Sequence, residues 1–270
     1  LMDYKQECAT MLQILTKTKH VVFTKRCNAS ILLAFGLAKQ LGRSHVLKQD
    51  EGGWLTYKKY AEQLDLALTN LVTLDGVLPP KELQNYRSDE ILIVNSLAGY
   101  TASLDMEAIG TMCVKQDIFL INDVSASIGT PLATEGDCMV GSFGKAKPIH
   151  LGTGGFFATN HKEHADIVAE MQEEPELEYD QLYELLRGLD KRRTFLHERV
   201  QQVRSDLKDF TLVAPEDKYS LNVIAKFETD EQKKQLIQYC TDNKLEYTEC
   251  PREIRIDEPA ISIEIKRLTS

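Results

Sequence analysis

The chain has 270 residues, of which 43% are hydrophobic and 27% charged, and its net charge is -9. That length suits one large α/β domain or a large domain with a small one. The acidic balance without a long Lys/Arg run excludes nucleic acid as a partner, and the longest uncharged stretches, about 14 residues, fall short of the roughly 20 that span a bilayer.

In chain order, residues 3–17 place Met11, Leu12, Ile14 and Leu15 at helical spacing. Val21–Thr24 is a short β-branched run, and Ala29–Leu41 predicts an apolar helix. Ile91–Leu97 and Ile118–Asp123 are near-continuous apolar runs, which predict strands covered on both faces, as in a parallel sheet. Leu104–Gln116 between them predicts a helix. Cys138–Phe143 and Gly155–Asn160 predict two further strands. From residue 20 to residue 160 the pattern is α/β, with a mostly parallel sheet flanked by helices.

The texture changes near residue 161. Residues 163–208 are charge-rich and helical, interrupted once at Pro175. Strands are expected near 210–214 and 221–227, a helix near 230–243, and strands near 245–248, 253–256 and 260–266. The expected division is a large α/β domain over 1–165 and, over 166–270, a connecting helix with a small α+β domain. No internal repeat is evident.

The six cysteines are scattered and none forms a CxxC pair, so neither a zinc ribbon nor a disulfide scaffold is expected. With no apolar leader in sight, the expected location is cytoplasmic, with no membrane partner. His161 and His164 have i, i+3 spacing but no acidic partners at matching positions, so no metal is expected.

The segment GSFGKAKPIHLGTGGFFATN (Gly141–Asn160) carries the chemistry. It is not a Walker loop, because Ser142 stands where the lysine must follow the second glycine. It is not a dinucleotide fingerprint, because Gly152–Gly155 lead into a strand. It has no G-x-S-x-G elbow. Two readings stay open for it: a covalent lysine, or merely a glycine-rich bend between two strands. A lysine amine is nucleophilic only when deprotonated, so its site is expected to lower its pKa.

A lysine that carries pyridoxal phosphate needs four companions: a carboxylate for the ring nitrogen, backbone N–H groups and hydroxyls for the phosphate, an aromatic platform, and a loop that permits close approach. Each has a candidate. Asp123 ends the most apolar strand, where α/β sheets place their ligands. Arg26–Ser30 opens an apolar helix, with Cys27 and Asn28 at its start. Ser142 lies five residues before Lys147. Trp54, the only tryptophan, follows Gly52 and Gly53. Taken singly, each has a plainer reading: Asp123 or Asn28 as a helix cap, Trp54 as packing, Lys147 as a solvated lysine. Their joint order along the chain outweighs those readings.

That order resembles the fold-type-I pyridoxal-phosphate enzymes, and within them the DegT-like sugar aminotransferases. RCNASI (Arg26–Ile31) stands where that family has a motif like S-G-T-A-A-L. LINDVSASIG (Leu120–Gly129) is similar to V-I-E-D-A-A-Q-A-x-G and puts the ring-nitrogen carboxylate at Asp123, with Ser125 beside it. The stretch from Gly136 is similar to G-D-x-x-x-x-S-F-x-x-x-K and selects Lys147, not Lys145, as the Schiff-base lysine. The chain departs from the pattern at Cys27, where glycine is usual, at Asn122, usually acidic, and at Ala126, usually glutamine.

The resemblance implies a homodimeric aminotransferase acting on a small amine or amino acid. Its cofactor would be pyridoxal 5'-phosphate, held by Cys27, Asn28, Trp54, Asp123, Ser125, Ser142 and Lys147. Lys147 would also be the acid–base group. For a substrate carboxylate the tail offers Arg252, Arg255 and Arg267, and Arg255 is the expected fork. Two alternatives stand beside this reading: a lyase or sulfur-transfer enzyme using Cys27, and a non-catalytic relative that binds a ligand or partner.

Overall fold

The computed structural model describes residues 2–269. It begins with α1 (Tyr4–Thr16), β1 (His20–Thr24), α2 (Cys27–Gln40), β2 (His45–Gln49), α3 (Thr56–Gln63), β3 (Ala67–Leu71) and β4 (Glu90–Asn95). A small ribbon, β5 (Leu97–Ala98) with β6 (Ala102–Ser103), leads into α4 (Met106–Gln116) and β7 (Phe119–Asp123). Then come β8 (Cys138–Ser142), β9 (Gly155–Thr159), α5 (Lys162–Glu170), α6 (Tyr179–Arg187) and α7 (Leu189–Asp206). The tail holds β10 (Thr211–Leu212), β11 (Val223–Lys226), α8 (Asp230–Asp242), β12 (Tyr247–Cys250) and β13 (Ala260–Ile263).

Seven strands form the main sheet in the order β3-β2-β4-β7-β8-β9-β1. The pairs from β3 through β8 are parallel. Only β9 runs against both of its neighbours. This is the mostly parallel, helix-flanked α/β sheet expected from the apolar runs. Alternate side chains of those runs go to opposite faces. Ile91, Ile93, Ile121 and Val140 join the helix residues Ile31, Phe35 and Leu37 in one cluster. Leu92, Val94 and Leu120 face the other way, toward Ile109 of α4 and Leu196 and Val200 of α7. That second cluster continues into Val223, Ile261 and Ile263 of the antiparallel tail sheet, ordered β10-β11-β13-β12. Large side chains such as Phe35 and Leu37 are fully buried, each stabilising the fold by roughly 1.5–3 kcal/mol.

The helix expected from Ala29 begins two residues earlier, at Cys27. Strands β2 and β3 and helix α3 fill a stretch where no element was expected. The helical region 163–208 breaks twice rather than once: between α5 and α6 around Pro175, and again at Gly188 between α6 and α7. The strand expected over 253–256 is a turn, closed by Arg255 N donating to Arg252 O at 2.8 Å and Arg252 N to Ile256 O at 2.9 Å. Among the described residues no helix is long and apolar enough to cross a membrane.

One glycine determines how closely α2 meets the sheet. A Cβ at Gly155 would lie 2.6 Å from Cys27 N, 2.7 Å from Gly141 O and 2.8 Å from Arg26 C, all backbone atoms. Backbone cannot swing aside as a flexible side chain would, so Gly155→Ala is expected to cost about 1–3 kcal/mol. Gly188→Ala, whose nearest contact would be an ordinary 3.4 Å, is expected to stay within about 0.5 kcal/mol of wild type. Urea unfolding midpoints of the two variants check this, and equal midpoints would refute it.

Candidate active site

Three chain segments meet at the carboxyl ends of the parallel strands, where such sheets place their ligands. They border a cavity of about 440 Å³ lined by Cys27, Asn28, Trp54, Asp123, Ser125, Ser142, Lys147 and Arg255. All eight residues singled out in the sequence therefore share one cavity. Its size lies in the usual range for small-molecule sites.

The turn after β8 carries the lysine. Phe143 N donates to Gly154 O at 3.1 Å, and Gly152 N donates to Phe143 O at 2.8 Å. These bonds pinch the loop at its base, and within residues 145–151 Pro148 and Ile149 are buried. Ala146 has a left-handed backbone, φ 59°, which turns the chain immediately before Lys147. At the base of the loop, Ser142 Oγ accepts from Gly144 N at 3.1 Å. Gly155 provides the close approach described above, while Gly152 and Gly154 provide positive φ (99° and 89°).

The β7 end carries the carboxylate. Asp123 is buried, and its two oxygens have separate partners. Ser125 N donates to Oδ1 at 3.0 Å, and the Tyr57 hydroxyl donates to Oδ2 at 2.8 Å. Tyr57 is fully buried, and burial together with the Asp123 charge raises its phenol well above the ordinary value, so it stays a donor. Tyr57 escaped sequence reasoning; its only signal was its place three residues beyond Trp54.

The start of α2 carries the amides. Arg26 is the N-cap, with extended backbone and no side-chain cap. Ala29 N and Ser30 N both turn back to Arg26 O, and the amides of Cys27 and Asn28 have no intrahelical acceptor. A capping role for Asn28 is thus ruled out. Its Oδ1 instead accepts from Trp54 Nε1 at 3.1 Å and from Thr56 Oγ1 at 3.3 Å, which fixes the indole at the cavity wall. Cys27 is buried with its sulfur 3.4 Å from Ser125 Oγ. Burial, then the Asp123 charge, raises its thiol far above the usual range, so it is no thiolate nucleophile.

Lys147 Nζ lies 5.2 Å from the centre of the Trp54 ring and contacts the Tyr100 hydroxyl. Burial alone would lower its pKa. Contact with Tyr100 and the charge of Asp123 outweigh burial and hold it above the ordinary lysine value. This corrects the expectation of a lowered pKa: the amine rests protonated. Tyr100 sits at the tip of the β5–β6 ribbon with φ 68°. Its backbone oxygen accepts from Leu221 N and Asn222 N at 2.8 and 3.0 Å, tying the ribbon to the tail sheet.

Arg255 lines the cavity but is already engaged. Its Nε and Nη2 donate to Glu264 at 2.9 and 2.8 Å, and Nη1 donates to Ile254 O at 2.7 Å. Only 4% of its surface is exposed. This corrects its assignment as the fork for a substrate carboxylate. Lys266, also on the cavity wall, contacts the same carboxylate. Burial would raise the Glu264 carboxyl, but Arg255 and then Lys266 hold it well below the usual carboxylate range. At the rim, Arg252 is exposed and makes no ion pair among the described residues.

The family model for DegT/DnrJ/EryC1/StrS aminotransferases matches residues 81–194, a span that includes both the Asp123 and the Lys147 segments. The resemblance read from those two motifs is borne out over that span. Among solved structures, the chain is similar to a DegT DnrJ EryC1 StrS aminotransferase from Brucella abortus, with 13% identity and a TM-score of 0.77 over 98% of this chain and 85% of that one. It is similar to PseC, an aminotransferase of pseudoaminic acid biosynthesis from Helicobacter pylori, with 14% identity and a TM-score of 0.75 over 97% and 86%. A serine palmitoyltransferase with PLP aligns at 14% identity and a TM-score of 0.73 over 97% and 71%. No curated protein matches this chain by sequence. The fold is that of these fold-type-I enzymes.

The raised pKa of Lys147 yields a test with a definite sign. Tyr100→Phe removes its largest raising contact and leaves burial, which lowers. The Lys147 titration midpoint is expected to fall, and reductive methylation of Lys147 near pH 9 to become several-fold faster than in wild type. Peptide mapping of methylated lysines across the alkaline range checks this. A midpoint that rises would show that Tyr100 is not what holds the proton.

Proposed function

We propose that the chain is a pyridoxal-phosphate-dependent aminotransferase whose cofactor is carried by Lys147. One observation supports this most: Lys147, Asp123, the first turn of α2, Ser142 and Trp54 all line the same cavity. They fit the group in kind. The amides of Cys27 and Asn28 at a helix start suit a phosphate, with the Ser142 hydroxyl beside them. Asp123 suits a protonated ring nitrogen, and Ser125 N and Tyr57 hold the carboxylate in place for it. Trp54 offers a flat face, braced by Asn28.

Pyridoxal phosphate supplies an electron sink for carbanion chemistry. The chain's own residues do the rest. Asp123 would keep a proton on the ring nitrogen of the bound cofactor. The Lys147 amine, once free, would take the proton from the substrate Cα and return it elsewhere. The Tyr100 hydroxyl accepts a hydrogen bond from Lys147 and so orients the amine in the cavity. For a substrate carboxylate, Arg252 at the open rim replaces the engaged Arg255. The reading is therefore of a small amino acid or amine as substrate.

A lyase or sulfur-transfer role built on Cys27 finds no support in a buried, protonated thiol. The homodimer stays part of the proposal. Leu55 at the cavity rim is 48% exposed, and Val72 and Leu74 on a nearby loop are 71% and 72% exposed, which supports a covering second copy. The six free, buried cysteines support a reducing, cytoplasmic setting.

The deciding experiment adds pyridoxal phosphate to the purified chain, records the absorption spectrum, reduces with borohydride and maps the peptides. A yellow band with the reduced adduct on Lys147, lost in Lys147→Ala, is expected. Arg252→Ala is expected to raise KM for an amino-acid donor by about tenfold or more while changing kcat little. A colourless wild-type chain without adduct would overturn the enzyme reading in favour of a non-catalytic binding protein.

A further inference from the structure

Tyr100 is an unusual hub. Three cations flank its ring: Lys147 Nζ at 4.6 Å, Lys266 Nζ at 4.7 Å and the Arg255 guanidinium at 5.2 Å from the centroid. Tyr100, Arg255 and Lys266 are each only 4% exposed, and Glu264 1%. Glu264 also accepts from Ser262 Oγ at 3.1 Å and from Asn222 Nδ2 at 3.2 Å.

One cation would neutralise Glu264, and Arg255 does so through two hydrogen bonds. A second buried cation costs desolvation without being needed for charge balance. Lys266 leaves the cluster with a surplus positive charge directed at the ring that Lys147 touches. We propose that Lys266 is a positioning residue for Lys147: its ammonium, held by Glu264 against the Tyr100 ring, opposes protonation of the reacting amine.

Glu264 and Arg255 contact the cluster from the tail sheet and its preceding turn. Arg267 Nε lies 4.0 Å from Glu264. From α7, Arg192 Nη2 donates to Lys266 O at 3.1 Å. Lys147 and Tyr100 face Lys266 from the cavity, and Asp123 adds its charge on the far side of Lys147. Burial, reinforced by the Arg255 and Lys147 charges against the pull of Glu264, brings the Lys266 ammonium down to about 7. Lys266 is therefore charged below about pH 7 and neutral well above it. Lys147 takes its proton first, well above pH 7; when Lys266 then charges near 7, its ammonium makes that proton costlier to hold and enlarges the small free-amine fraction. The reactive fraction of Lys147 falls less steeply with acidity than that of an isolated lysine.

The proposal rests on Lys147 being the reacting amine, but its test needs no cofactor. Formaldehyde with a mild reductant methylates lysines, and initial rates at Lys147 follow from peptide mapping. Lys266→Met is expected to slow methylation of Lys147 about tenfold near pH 6, where Lys266 is charged, and to leave it unchanged near pH 9. Lys266→Arg, charged throughout, is expected to match wild type near pH 6 and exceed it near pH 9. Should Lys266→Met not fold, 15N-lysine spectra of the wild-type chain serve instead. The Lys147 resonance is then expected to show an inflection near pH 7, where Lys266 titrates. Equal rates in all three proteins at both pH values, or no inflection near 7, would overturn the proposal. Failure to bind pyridoxal phosphate would leave these outcomes untouched and so would be distinguishable.

Discussion

The active end of this molecule depends on a carboxylate that water cannot reach. Glu264 lies in the tail sheet, yet the groups it orders lie at the cavity: Arg255, Lys266 and, through their ring contacts, Tyr100. A buried carboxylate is tolerable only with its lone pairs occupied and its charge balanced. Satisfying Glu264 draws two cations to one place, and the cavity inherits their field. That field acts at short range and behind protein, so salt screens it weakly.

The opposite wall is built on backbone amides and packing, with Asp123 as its one carboxylate. Gly155 lets α2 approach β8 and β9 to within backbone contact, and the amides of Cys27 and Asn28 follow at the cavity wall. Asn28 then braces Trp54, and Asp123 is braced from both sides by Ser125 and Tyr57. Each group that would face a ligand is held by a neighbour whose own position is set by packing, which is the condition for a site that does not reorganise on binding.

Much of this was legible in the sequence, for identifiable reasons. The strands carrying Asp123 and Ser142 are apolar because both faces are covered, and such runs stand out. Asp123 and Lys147 could be read because each sits in a local motif. Strand β2 was not legible, because HVLKQ places Lys48 and Gln49 in a buried strand. Gln49 is consumed there by Gly76 O and Asn95 N, pairings that join distant parts of the chain. Residues 253–256 alternate like a strand, with Ile254 and Ile256 buried, but backbone bonds fold them into a turn. Arg255 looked free because its partner lies across that turn. Tyr100 and Lys266 were invisible as a pair: 166 residues separate them, and only the fold brings them together.

The β5–β6 ribbon is short, but both ends of its tip residue are committed. The Tyr100 carbonyl is fastened to Leu221 and Asn222, and its hydroxyl reaches Lys147. A residue gripped at both ends acts as a lever. One side chain thus carries the position of the tail sheet to the amine at the cavity: the same residue that anchors the backbone of one layer sets the hydrogen-bond partner of the lysine in the other.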